Sequence, residues 1–195
     1  MSYQDFRAEF VTAISNNAEF SGTTIHSEFL DHTLQELVEF DNLDAPIRLD
    51  LSDTRCSKQR LMRIDAYAFD ETEHSLVLLI SDYCDEDTPA ALTMSRVDEL
   101  YWRLFYYLEE ACHGKISSYL TPDDKAFQAA KMIRHRMETV ADDIESVLKI
   151  KFYILTNRDL DTKLIDKGVF DSQKTTGKKK ATKATKKIKK DKNGN

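Results

Sequence analysis

Residues 61–83, LMRIDAYAFDETEHSLVLLISDY, place two apolar runs on either side of a polar turn, and each run carries one aspartate, Asp65 and Asp82. The first run alternates, which predicts a strand with Arg63, Asp65, Tyr67 and Phe69 on one face and Met62, Ile64, Ala66 and Ala68 on the other. Leu76 to Ile80 is an unbroken run of leucine and β-branched residues, the pattern of a strand buried on both faces. Asp70 to His74 between them is wholly polar, so an antiparallel hairpin is the simplest reading. Asp82 stands where the second apolar run ends. A carboxylate there is costly unless it is paired, hydrogen-bonded or bound to a metal, so the hairpin is the first place to look for chemistry.

The flanking segments supply helices. Phe6, Phe10, Val11 and Ile14 recur at helical spacing over residues 3–16, with a break expected at Asn16-Asn17 and Ser21-Gly22. Thr24 is a candidate N-cap, with Ser27 as the alternative, for a helix over 25–40. On that helix Glu28, His32, Gln35 and Glu39 share the polar side, whereas Glu36 falls at the border of the apolar arc and is expected to point towards other elements. Residues 41–60 hold a short IRLDL alternation, an extra strand or an extended loop. After the hairpin, a helix is expected from about residue 94, with Ser95 and Asp98 as a capping pair. Its aromatic run, Leu100 to Leu108, predicts burial on more than one side, with core packing preferred over stacking on a base or cofactor. Thr121-Pro122-Asp123-Asp124 reads as an N-cap, a proline at the first position and acids in the first turn. The helix after it carries a seam of Ala126, Ala130, Ile133, Met137, Val140 and Ile144, with Lys131, Arg134, His135 and Arg136 on its outer surface. Val147 to Thr156 reads as another core strand. The expectation is an α/β (α+β) fold, a small mixed sheet built on a central hairpin with packed helices, over a single domain of residues 1–170.

Charge divides the chain sharply. Of its 28 basic and 34 acidic residues, ten lysines and one acid (Asp191) fall in residues 173–195, so that segment carries +9 and residues 1–172 carry −15. Residues 171–195 are low in complexity and nearly free of large apolar side chains, so they cannot form a core and are read as a disordered lysine-rich tail. Lys178, Lys179, Lys180, Lys183, Lys186, Lys187, Lys189 and Lys190 are the candidate nucleic-acid contacts, because the acidic body repels phosphate. No run reaches the roughly 20 apolar residues of a membrane span, and MSYQDFRAEF lacks the basic start and apolar segment of a signal peptide. Cys56, Cys84 and Cys112 are odd in number and widely spaced, which suits reduced cytoplasmic thiols rather than a disulfide framework or a zinc site.

Glu36 on a helix, Asp65 on the first hairpin strand and Asp82 at the end of the second are the candidate catalytic acids, with Asp65 and Asp82 as candidate ligands of Mg²⁺, which would activate water and stabilise charge on a phosphate. Their order resembles the PD-(D/E)XK nuclease core, which implies a restriction-endonuclease-like sheet and a helical acid, an aspartate and an acid-x-Lys strand. Here the residue two after Asp82 is Cys84, and residues 61–114 contain no lysine. The group that would orient water is missing.

RIDAYAFDETEHSLVLLISDY, followed some seventy residues later by IKFYILTNR, resembles the N-terminal region of the abortive-infection phage-resistance (AIPR) family. Its members show an Arg-x-Asp-x-Tyr strand, an acidic turn, a leucine-rich strand ending in Ser-Asp-Phe/Tyr and a later strand ending in Leu-Thr-Asn. Arg63, Asp65, Tyr67, Asp70, Glu71, Ser81, Asp82, Tyr83, Leu155, Thr156 and Asn157 fit those places, over roughly residues 20–165. Such proteins are generally several times longer, so the resemblance implies an isolated N-terminal module, a truncated relative or a partner subunit, in a bacterial cytoplasmic, phage-defence setting.

Three readings follow. One is a defence module associated with DNA or RNA through its tail, with a catalytically degenerate core. The second is an active Mg²⁺-dependent nuclease using Glu36, Asp65 and Asp82. The third is a protein-interaction domain, binding a partner or a second copy, in which Asp65 pairs with Arg63 or Arg103 and Asp82 caps a turn.

Overall fold

The hairpin forms where its pattern places it and becomes the middle of a sheet. The computed structural model describes residues 3–40, 43–86, 90–142 and 148–161. The elements are α1 (Tyr3–Ser21), α2 (Ile25–Phe40), β1 (Ile47–Arg55), β2 (Leu61–Asp70), β3 (Ser75–Asp82), α3 (Met94–Cys112), α4 (Lys125–Asp142) and β4 (Lys149–Thr156). The sheet order is β1-β2-β3-β4, antiparallel through the first three strands, with β4 joining β3 in parallel after the connection through α3 and α4. This is the mixed α/β class the sequence predicts. The expected tail, Ile144 and the Thr88-Pro89 turn lie outside the described residues.

Every residue of β3 is buried, because the strand is an inner one with helices over both faces. Leu76, Leu78 and Ile80 pack with Leu100, Leu104 and Tyr107 of α3 and with Ala126, Ala130 and Ile133 of α4. Val77 and Leu79 pack with Leu30 and Leu34 of α2, and α1 leans on α2 through an edge-on contact of Phe10 with Phe29 at 6.1 Å. At about 1.5–3 kcal/mol for each large apolar side chain withdrawn from water, this central strand is the most stabilising element of the sheet.

The strict alternation predicted for β2 breaks in one place. Met62 and Ile64 join the α3–α4 core together with Tyr67, whereas Ala66 and Ala68 join the α2 core. Arg63 and Asp65 bond Ser81 and His26 on the α2 side. The strand therefore changes face between Asp65 and Ala66, and Arg63 and Asp65 do not share the face of Tyr67 and Phe69. An irregularity of this kind re-aims a side chain, here lodging a carboxylate against the Ser81 amide.

Several local signals resolve differently from expectation. α1 runs past Asn16-Asn17 because Ala18, one turn beyond buried Ile14, is itself buried. It stops before Gly22, whose φ of +67° suits glycine. Thr24 does cap α2, its Oγ1 accepting the Ser27 N–H at 3.1 Å. For α3 the cap is Thr93, which accepts the Arg96 N–H, rather than Ser95. α4 begins three to four residues later than Thr121 suggests, since Asp124 folds back onto the Thr121 N–H and hydroxyl at 2.7 and 2.9 Å. As its aromatic run predicts, α3 is buried on more than one side, against the sheet and against α4. Trp102 is exposed, stacked on Tyr106 at 5.5 Å, while Tyr101 stacks on Phe105 at 6.1 Å. β4 is an edge strand among the described residues, so its apolar side chains are half-buried rather than core.

Tyr107 is the largest side chain fully inside the core, and its hydroxyl donates to the Ala126 carbonyl at 2.7 Å. Burial pushes its phenol far above the usual value near 10. A raised acid contributes stability that is complete below its unfolded value and is lost as pH rises towards the folded one. Urea midpoints are therefore expected to fall above about pH 10. Tyr107→Phe should cost about 1–2 kcal/mol at neutral pH and should weaken that alkaline loss. An unchanged alkaline limb would refute the assignment.

Candidate functional site

The residues that carry the hairpin motif gather at one end of the sheet, where β2 begins and where β3 and β4 finish. Asp65 is 5% exposed. Its Oδ2 accepts the Ser81 backbone N–H at 2.6 Å and the Ser81 hydroxyl at 2.8 Å. The Arg63 guanidinium grips both its oxygens, Nη2 to Oδ2 at 2.8 Å and Nε to Oδ1 at 3.2 Å. Of the two partners the sequence offers for Asp65, Arg63 is the one used. His26 of α2 closes the cluster, its Nε2 lying 2.9 Å from Ser81 Oγ and 3.3 Å from Arg63 Nη2. Ser81 stands between histidine and aspartate and is wholly buried. Its hydroxyl is spent on Asp65, so the His-Ser-Asp trio is not arranged for nucleophilic attack, where the histidine must sit between the other two.

Asp82 follows Ser81 on an extended strand and so points to the opposite face of the sheet. It is 3% exposed. Arg96, in the first turn of α3, donates to Oδ1 from Nε at 3.1 Å and from Nη2 at 2.6 Å. Arg158, just beyond β4, donates to Oδ2 from Nε at 3.0 Å. The hydrogen bonds with Asp82 hold the Arg96 guanidinium above its ordinary value. Asp82 thus does not cap a turn. It ties the end of the hairpin to α3 and to the chain after β4.

Asn157 extends that tie. Its side-chain amide donates to the Cys84 carbonyl at 2.7 Å and its carbonyl accepts the Cys84 N–H at 2.9 Å, the two-point pattern of a neighbouring strand. Thr156 donates to the Asp82 carbonyl at 3.0 Å. The Leu-Thr-Asn ending of β4 therefore prolongs the parallel pairing of β3 and β4 by side-chain hydrogen bonds, where the chains splay.

Glu36 is not part of this assembly. Phe29, two turns earlier on the same side of α2, is covered by Phe10, but Glu36 near the helix end is exposed. Its expected inward orientation is not found. Glu36, Asp65 and Asp82 are thus not brought together: one is at the surface and the other two face opposite sides of the sheet. Among the described residues no group of three His, Cys, Asp or Glu side chains is placed to hold a metal ion. The eight candidate lysines of the tail lie outside the described residues.

A cleft of about 410 Å³ opens beside Asp65, lined by His26, Asp50, Ser52, Asp53, Arg63 and Asp65. Each carboxylate in it already holds an arginine. Asp50 takes Arg48 at 2.7 Å, Asp53 takes Arg103 at 3.1 Å, and Asp65 takes Arg63. A metal entering this cleft would compete with these guanidiniums for the carboxylates. His26, Arg96 and Arg158 are the partners that sequence reasoning missed. Arg158 follows the Leu-Thr-Asn motif directly, and that adjacency was the available signal. His26 and Arg96 become partners through chain packing and carry no local signal.

A family model described as Abortive infection phage resistance protein N-terminal domain matches residues 29–179. That span contains both aspartates and the Leu-Thr-Asn ending. No curated protein and no solved structure gives a significant match to the chain. No helix among the described residues is long and apolar enough to cross a membrane.

Proposed function

Since the chain belongs to the abortive infection phage resistance family through its N-terminal domain, we propose that it serves phage defence as a catalytically degenerate module that associates with nucleic acid through its lysine-rich segment. The observation that carries the non-catalytic part is the arginine held by every carboxylate of the Asp65 cleft, together with the two arginines on Asp82. Metal-dependent phosphodiester hydrolysis needs carboxylates free to converge on a divalent ion. Here each of those carboxylates is already engaged by a guanidinium. The nucleic-acid part is supported by the charge division of the sequence, +9 in residues 173–195 against −15 in the rest.

The test uses the full chain and a variant in which Lys178, Lys179, Lys180, Lys183, Lys186, Lys187, Lys189 and Lys190 are all glutamine. Each is incubated with labelled DNA and RNA, with and without Mg²⁺ or Mn²⁺. The expected result is retention of nucleic acid by the native chain, its loss in the variant, and no cleavage by either. Metal-dependent cleavage abolished by Asp65→Asn would replace this reading with the nuclease.

A further inference from the structure

Lys131, Arg134 and His135 occupy positions i, i+3 and i+4 of α4 and therefore share one face of it. They rim a cleft of about 350 Å³ between α4 and the loop that follows α3. Its floor is apolar: Ile116, Phe127 and Ala130 are each 9% exposed or less. The far wall is the backbone at Gly114. A Cβ there would lie 1.8 Å from Arg134 Nη1, so the guanidinium rests on a stretch of main chain that glycine alone leaves bare. Arg134 Nε donates to Glu138 at 2.7 Å, which fixes the plane of the fork from outside. Lys131 holds its ammonium 5.5 Å above the Phe127 ring and has no carboxylate partner among the described residues.

Arg134 alone has a simpler explanation, since a cation beside the C-terminal end of α3 is favourable for that helix. That accounts for neither Lys131 nor His135 on the same rim. The one acid of the cleft, Glu138, is already engaged. The result is a local excess of positive charge over an apolar floor, on a body whose net charge is −15. An apolar floor with a guanidinium and an ammonium at one side fits an amphipathic anion, and phosphate matches that donor pair best. The volume lies at the lower end of small-molecule sites. We propose that this cleft binds a small organic phosphate of nucleoside monophosphate size, its base against Phe127 and Ala130 and its phosphate on Lys131 and Arg134. The site uses none of the residues on which the proposed function rests.

The experiment is calorimetric titration of the full chain with AMP, GMP, CMP and UMP, with adenosine and inorganic phosphate as half-ligand controls. At least one nucleotide is expected to bind at one per chain and more tightly than either control. Lys131→Gln should weaken it at least tenfold and Arg134→Gln likewise, while the eight-lysine tail variant should bind unchanged. Thermal unfolding of each variant identifies any loss of fold. Lys131 is exposed, so Lys131→Gln is a variant that leaves the core intact. Absence of saturable binding by all four nucleotides would overturn the proposal. So would binding indifferent to Lys131→Gln, binding lost with the tail lysines, or capture of a phosphorylated oligonucleotide without any mononucleotide.

Discussion

Replacing Asp82 with alanine is expected to lower the unfolding free energy of the full chain by about 3–5 kcal/mol, read from urea denaturation. The carboxylate is nearly inaccessible and is shared between two guanidiniums from distant parts of the chain, Arg96 on α3 and Arg158 after β4. The whole pair need not be strongly stabilising, because desolvating three charges offsets much of their attraction. Removing the carboxylate is different, since it leaves Arg158 half-buried without its ion-pair partner and Arg96 with only the more exposed Glu99 at 2.7 Å. Arg96 is 32% exposed and Arg158 21%, so both can recover some hydration, which favours the lower end of the range. Asp65→Ala should cost a similar amount, because it takes the carboxylate from Arg63 and leaves the buried Ser81 amide without an acceptor, His26 Nε2 alone remaining within reach of the hydroxyl. The double variant distinguishes architecture from a shared site. The two aspartates have no partner in common and face opposite sides of the sheet, so their effects should add to within about 0.5 kcal/mol. A larger coupling, or a Mn²⁺-dependent rise in stability that both single variants abolish, would mean that one ion joins them.

Binding to nucleic acid should weaken steeply with salt. If all ten lysines of residues 173–195 contact phosphate, the log–log slope of affinity against salt is roughly −7 to −9. The eight-lysine variant retains Lys174 and Lys192 and should give a slope of roughly −1.4 to −1.8. Between 50 and 200 mM salt the native chain should lose roughly 10⁴- to 10⁵-fold in affinity, and the variant only about tenfold. A filter-binding or anisotropy series settles the slope. Equal slopes for the two proteins would assign the contacts to the body, whose net charge opposes them, and would sink the tail as the source of affinity.

The degree to which the site was legible in the sequence follows from the range of the forces involved. Asp65 and Arg63 are two residues apart on a strand, so their pairing is nearly dictated by local geometry, and the expectation of that partner holds. The two arginines on Asp82 are 14 and 76 residues away. No pattern of alternation reports such a distance, and the turn-capping role expected of Asp82 yields to contacts that exist only once α3 and β4 have packed. Glu36 shows the converse failure. Helical phase places it correctly beneath Phe29, but phase does not say how far a neighbouring helix extends, and α1 does not cover it.

By itself the sequence determined the hairpin, the full burial of β3, the helical start at Thr24, the mixed fold class and the charge division, because each depends on periodicity, local capping or composition. It also carried the motif by which the family is identified. The tertiary structure decided the rest: the change of face between Asp65 and Ala66, the separation of Asp65 and Asp82 by the sheet, the exposure of Trp102 on α3 and the edge position of β4 among the described residues. A strand's side chains alternate whatever surrounds them. Which face is filled by a helix, and which buried carboxylate finds a cation there, depends on chain segments that meet only in the folded protein.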